Sequence, residues 1–395
     1  MKDASRTRSH SPSPIAAVAA AVAALAIGAC DDETTTAPPN TAVETRLQQI
    51  LDGSVTKTDV VVPGVAAYYH GAPYRPWSGA AGLAEIPAQV AMRARDHFRA
   101  GSVLKTFLAT VAMQHVEAGT LALDQTLPAL VSDTVSARIA GADQITLRML
   151  LSHTSGIPDW VNPQTDALIV ADPAHVWTTD EIMDIVAALP PTFAPGTSWS
   201  YSNTNYNLVG IAIERAAGGK SWRAQVRERL FDRVGLANTG LPEPGDVSVG
   251  ADFAHGYQVI EDGMVDLSAI DPSMAGAAGG HALVTTAEDL GKFIEALLAG
   301  ALFTRPATLA AMMPALEVPH VSGLPYRYGF ALEEFVMPNG SVVVGHSGST
   351  AGYSMMMFRI PAVDTTLVTA VNTNDLFTNA LEVFIPAVEA ITAAQ

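Results

Sequence analysis

At 395 residues, 49% hydrophobic and 15% charged, the chain is long enough to bury a large core and too apolar to stay disordered. Its formal net charge of −17, from 39 acidic and 22 basic residues, comes with no run of Lys or Arg and so argues against nucleic acid as a partner. The one cysteine excludes an intrachain disulfide, which leaves packing to hold the fold.

Lys2, Arg6 and Arg8 precede an uninterrupted apolar run from Ile15 to Ala29. That run is about fifteen residues, short of the roughly twenty that cross a bilayer, and has the layout of a secretory signal. Ile27-Gly28-Ala29-Cys30 resembles a bacterial lipobox, in which Cys30 becomes the lipidated N-terminus. Residues 1–29 are therefore expected to be a lipoprotein signal peptide, with the protein held to a membrane on its extracytoplasmic side. Residues 30–42, polar and with Pro38-Pro39, are expected to be a flexible tether.

Val43 to Leu51 reads as a first helix, and Val60 to Tyr69 as a β-rich stretch turning at His70-Gly71, with further strand and turn from Pro73 to Gly82. Val103, Leu104, Phe107, Leu108, Val111, Ala112 and Val116 follow the spacing of a buried amphipathic helix, closed by Gly119. Leu121 to Pro128 reads as an irregular crossover, Thr146 to Leu151 as a short helix and Ser152 to Pro158 as a loop. Helical spacing then dominates to about Asp271, over Thr179–Ala188, Asn205–Ala217 and Ser221–Val234. After a glycine-rich re-entry at Gly276–Gly280 comes a helix from Thr286 to Leu298. Tyr328–Glu334, Ser341–Gly345, Met355–Ile360 and Thr366–Val371 read as consecutive antiparallel strands, and Asp375 to Thr392 as a last helix that Pro386 kinks or interrupts. The pattern predicts an α+β fold: a discontinuous sheet domain (43–140 and 275–395) around a mainly helical one (141–274).

Three short motifs carry chemistry. Ser102 lies in the first turn of its helix, where unpaired N–H groups and the positive dipole end favour a negative oxygen. Lys105, three residues on, shares its face, and a lysine neutralised by burial can take the serine proton. Tyr201 and Asn203 stand at a loop-to-helix junction: the phenol can relay protons, and the amide can meet a substrate amide or Lys105. His346 ends an apolar strand beside Ser347 and Gly348, where a glycine admits close backbone approach. Each motif alone has an ordinary reading, as a helix cap, a packed tyrosine or a bonded strand-end histidine.

In this order, Ser-x-x-Lys, Tyr-x-Asn and His-x-Gly resemble the serine β-lactamase and penicillin-binding superfamily, in the branch holding class C β-lactamases, D-alanyl-D-alanine carboxypeptidases and esterases. Leu150 to Gly156, Gly279-Gly280 with Thr285 to Leu290, and Tyr328-Gly329-Phe330 resemble further landmarks of that branch, so the likeness runs from about residue 43 to the end. The resemblance implies an antiparallel sheet flanked by helices with an inserted all-helical domain and the site between them. It implies that Ser102 is acylated, that Lys105 activates it, that Tyr201 serves the leaving group as base or acid, and that Asn203 holds the substrate amide. His346 would assist, Ser347 and Gly348 would meet substrate, and the backbone N–H groups of Ser102 and Ser349 would form the oxyanion hole.

The first expectation for substrate is a D-alanyl-D-alanine carboxypeptidase-type peptidase acting on peptidoglycan peptide. An esterase or amidase, a β-lactamase, and a non-catalytic binder of cell wall or β-lactam stay open. Carboxypeptidase members of the family use a cation on the strand before the third motif, whereas Ala331-Leu332-Glu333-Glu334-Phe335 is acidic and Arg327 stands nearby. No cofactor or metal is expected: the ten histidines are scattered and there is no His-Glu-x-x-His. Gly348-Ser349-Thr350-Ala351-Gly352 has Thr where a Gly-x-Ser-x-Gly elbow needs Ser.

Overall fold

A computed structural model describes residues 37–57, 61–248, 250, 252–260, 263–273, 282–374 and 379–394. The expected signal sequence, Cys30, most of the expected tether and Gly276–Gly280 lie outside the described residues.

The strands are β1 (Gly64–Gly71), β2 (Trp77–Glu85), β3 (Val90–Ala91), β4 (Phe98–Arg99), β5 (Tyr257–Ile260), β6 (Gly263–Asp266), β7 (Val284–Thr285), β8 (Leu316–Val321), β9 (Leu324–Tyr328), β10 (Glu333–Val336), β11 (Val342–Thr350), β12 (Tyr353–Ile360) and β13 (Thr365–Val371). Nine form one antiparallel sheet in the order β3-β2-β1-β13-β12-β11-β10-β9-β8. Strands from the two ends of the chain thus meet near its centre, with Val65 opposite Val371.

The central strands are buried along nearly their whole length because both faces are covered. On β12, Met355 and Met357 face the core that holds the Ser102 helix (Leu104–Ala118) and the helix Ala287–Leu298, where Phe107 stacks on Phe293 at 3.6 Å. Met356 and Phe358, one residue out of phase, face Val43, Leu47 and Leu51 of the first helix (Thr41–Ser54) and Phe384 and Val388 of the last (Leu381–Ala393). Pro386 lies inside that last helix.

One expectation gains detail and two need correction. The helical middle also carries the hairpin β5–β6, whose Tyr257 bridges to Thr373 at the sheet end. Val259, Ile260, Met264 and Val265 are all exposed there, so the hairpin has none of the in-out alternation by which strands are read. Tyr328 to Glu334 is two strands: Tyr328 pairs with Glu333, and Ala331 takes φ +50° in the turn between them. Finally, β11 continues to Thr350, so His346 sits mid-strand. Gly345 and Gly348 permit this, since a Cβ would lie 1.9 Å from the Met357 carbonyl oxygen at the first and 2.2 Å from that of Ala100 at the second.

Candidate active site

Ser102 is carried on a 3-10 turn (Gly101–Val103) that leads straight into its helix. Two neighbours pin the turn. Phe98 and Arg99 before it pair with Thr285 and Val284 of β7. Gly101, at φ +56°, lies so close to β11 that a Cβ would meet the carbonyl oxygen of Ser349 at 2.7 Å and its nitrogen at 2.9 Å. Only glycine suits both the left-handed conformation and that approach.

Ser347 donates its N–H to Glu333 (2.7 Å), on the edge of β11 away from β12. In an antiparallel strand the next residue to face that edge is two further on, Ser349, which is opposite Ser354. The Ser349 amide is therefore directed to the edge where the Ser102 turn packs. The backbone groups of Ser102 and Ser349, expected to form the oxyanion hole, lie side by side.

Lys105 is completely buried, with Nζ 3.1 Å from Ser102 Oγ and donating to Asn203 Oδ1 at 2.7 Å. It lies over the Tyr201 ring at 5.0 Å and the Tyr206 ring at 5.9 Å. Burial drives its pKa down to about 7, against the opposing pull of Asp159 and Glu333, so a large neutral fraction exists at neutral pH. The Tyr201 hydroxyl lies beside Ser102, but burial pushes its pKa well above the ordinary value. In the resting enzyme the lysine is thus the group able to accept the serine proton, and the phenol remains a donor.

Of the two partners expected for the Asn203 amide, a substrate amide or Lys105, the structure shows Lys105. The Asn203 carbonyl takes Lys105, while its NH2 donates to Asp159 Oδ2 (2.9 Å) and its backbone N–H to Asp159 Oδ1 (3.1 Å). Burial raises Asp159 to about 6.

His346, expected to assist the reaction, is hydrogen-bonded to Tyr328. His153 Nδ1 accepts from Ser202 N–H (3.2 Å) and Asn205 Nδ2 (3.0 Å), so its proton is on Nε2, facing Tyr328 Oη at 3.2 Å. Tyr328 then donates to His346 Nε2 (3.1 Å), and His346 Nδ1–H turns to the Ser347 carbonyl. Burial lowers both histidines, as a chain of neutral imidazoles requires. His153 packs its ring 4.3 Å from that of Tyr201, so this network buttresses the phenol from behind.

The two residues expected to meet substrate are engaged within the protein. Gly348 is the close approach of Ala100, and the Ser347 hydroxyl donates to Glu333 Oε1 (3.1 Å), which also accepts from Tyr326 (3.2 Å). Arg327 is turned to Glu317 (2.9 Å) and Glu334 (3.5 Å). Asp159, Glu333, Tyr328 and His153 were not among the expected site residues; the acidic pair before the third motif and the loop after Ser152 were the available signals. Among the described residues no three or more His, Cys, Asp or Glu side chains gather as metal ligands would.

A serine within reach of a buried lysine, between a mixed helical layer and an antiparallel sheet, defines a serine hydrolase of the β-lactamase and penicillin-binding fold. Residues 47–385 match the Beta-lactamase family, and the chain belongs to that family. It is 26% identical over 299 residues to "Penicillin-binding protein 4*" of Bacillus subtilis, a match covering 70% of this chain and 61% of that one. It is 30% identical over 169 residues to "Esterase EstB" of Burkholderia gladioli, covering 41% and 43%. The match thus spans about three fifths of the first relative's length and two fifths of the second's. A D-stereospecific amidohydrolase from Streptomyces sp. superposes with TM-score 0.75 at 28% identity, covering 86% of this chain and 97% of that structure.

Proposed function

We propose that the protein hydrolyses amides or esters through an acyl-enzyme on Ser102, and that its leaving groups carry no carboxylate. The observation that supports the first half is the 3.1 Å approach of buried Lys105 to Ser102. As Oγ attacks the carbonyl carbon, its proton passes to Lys105 Nζ, and negative charge gathers on the oxygen facing the Ser102 and Ser349 amides. The leaving group departs with a proton from Tyr201, which Lys105 restores. Water then reverses the sequence and frees the acid.

The second half rests on Glu333. Its carboxylate, almost fully buried, holds the Ser347 hydroxyl and amide on the strand edge, with His346 Nδ1 3.8 Å away. A second carboxylate brought there would meet like charge in a poorly solvated place, and Arg327 is committed elsewhere. This favours the esterase or amidase reading over the carboxypeptidase one, and the esterase and amidohydrolase among its relatives support it.

Matched substrates test it: an acyl-D-Ala-D-Ala with a free C-terminus, and the same peptide as its C-terminal amide. The amide should show the higher kcat/KM by about tenfold or more, and Glu333→Gln should narrow the gap. Preference for the free acid would sink the assignment.

We place the protein, as part of the same proposal, on the extracytoplasmic face of a membrane, anchored by lipid on Cys30. The basis is the leader and lipobox-like sequence. Mass spectrometry of the membrane-extracted protein should find a diacylglyceryl-modified Cys30 as the first residue; an unmodified N-terminus beyond it would contradict the anchor.

A further inference from the structure

We infer that Asp159 is a positioning residue that sets which end of the Asn203 amide faces Lys105. The inference rests on the acyl-enzyme reading of Ser102 and adds a requirement to it. The two ends of a primary amide have nearly the same shape and opposite hydrogen-bonding character. Only its partners decide which way it lies.

Here both ends are decided by charge. Asp159 has one oxygen on the backbone N–H groups of Asn203 (3.1 Å) and Val161 (3.1 Å) and the other on Asn203 Nδ2 (2.9 Å). A carboxylate can only accept, so it draws the NH2 toward itself and leaves Oδ1 for Lys105, at 2.7 Å. Were the amide turned over, carboxylate would face carbonyl and lysine would face NH2. Both contacts would then be lost. When Lys105 takes the Ser102 proton it becomes an ammonium in a buried place, and Asn203 Oδ1 is the acceptor that receives its N–H. Asp159 touches neither the lysine nor the serine by hydrogen bond; it acts through Asn203.

This predicts an exchange experiment. In Asp159→Asn, the oxygen of the new amide is retained by the two backbone N–H groups, so its NH2 faces the NH2 of Asn203. Asn203 must turn over and present a donor to Lys105. In Asn203→Asp alone, two carboxylates face each other and one must hold a proton. The double variant, Asp159→Asn with Asn203→Asp, exchanges the groups. The amide then at position 159 donates its NH2 to the carboxylate at position 203, whose other oxygen takes Lys105. Every contact then has a donor and an acceptor again, with the 159–203 bond reversed in direction and the negative charge moved next to Lys105.

The readout is kcat and KM for a p-nitrophenyl ester, with thermal melts for each variant. Asp159→Asn should lower kcat on the order of 10²-fold with little change in KM, and the double exchange, read on each variant's alkaline plateau because a carboxylate at position 203 raises the Lys105 pKa, should recover at least about tenfold over either single change. A merely structural aspartate would not be rescued by altering Asn203. Asp159→Asn with kcat within about threefold of wild type, or a double variant no better than the singles, overturns the inference. Should Asp159→Asn fail to fold alone, Asn203→Asp against the double variant decides on the same terms. A wild type that forms no Ser102 adduct fails the parent reading; an acylating wild type whose Asp159→Asn variant runs at full rate fails this one alone.

Discussion

Ser102→Ala is expected to lower ester hydrolysis by about 10⁴-fold or more while leaving the melting temperature near that of the parent. The size follows from what the rest of the site can do without Oγ. Lys105 would keep Asn203, and the Ser102 and Ser349 amides would keep their places, but no atom would remain to carry the acyl group. The fold should tolerate the change because Ser102 is half-buried on a turn pinned by Gly101 and by the β4–β7 pair, neither of which uses the hydroxyl. Steady-state rates beside a circular-dichroism melt check both parts. Ester hydrolysis at the wild-type rate would refute the assignment.

Lys105→Arg should cost on the order of 10³-fold in kcat/KM, because guanidinium stays charged and cannot take a proton. Arginine is also longer, and the site around Nζ is closed by Tyr201 and Tyr206, so some loss of stability is expected. The wild-type pH profile supplies the reading that bulk alone would not. Burial lowers the lysine to about 7, so the active, neutral form grows as pH rises through that value. Asp159, raised toward 6, titrates in the same range, and the limb belongs to the pair. The wild-type kcat/KM should therefore climb from acid pH and level off above neutrality, and this limb should vanish in Lys105→Arg. An arginine variant with normal rate and profile would make Lys105 structural and move the base to Tyr201.

The sequence showed most of what local physics governs. The Ser102 helix announced itself by spacing and by Gly119, which closes it at φ +74°. The central strands were readable as apolar runs because the sheet is covered on both sides. What escaped was set by distant partners. The helices Pro163–Ala171 and Pro306–Met312 have proline at their first turn, and the former a capping box from Asn162 and Thr165, yet neither repeats an apolar spacing strong enough to be noticed. Strand β8 is mostly exposed and held by pairing with β9.

The site divides along the same line. Ser102 and Lys105 share one helix, so their spacing alone brings them together. Glu333 was legible only as one of two acids before the third motif; its burial makes sense only once Ser347 and Tyr326 arrive from other strands. Asp159 was one more polar loop residue until the helix that begins at Asn203 brought an amide and a backbone N–H onto it. The Asn203 contact with Lys105 was among the readings its amide allowed, whereas Asp159 and Tyr328, the internal partners of Asn203 and His346, were not visible along the chain.

The central claim is that the acyl group passes through Ser102, and rapid-quench intact mass during turnover of a p-nitrophenyl ester tests it most directly. The expected result is one acyl increment per chain, mapped by peptide digestion to the segment containing Ser102 and absent from Ser102→Ala. Steady turnover with no adduct at any quench time, or an adduct on another residue, would contradict it.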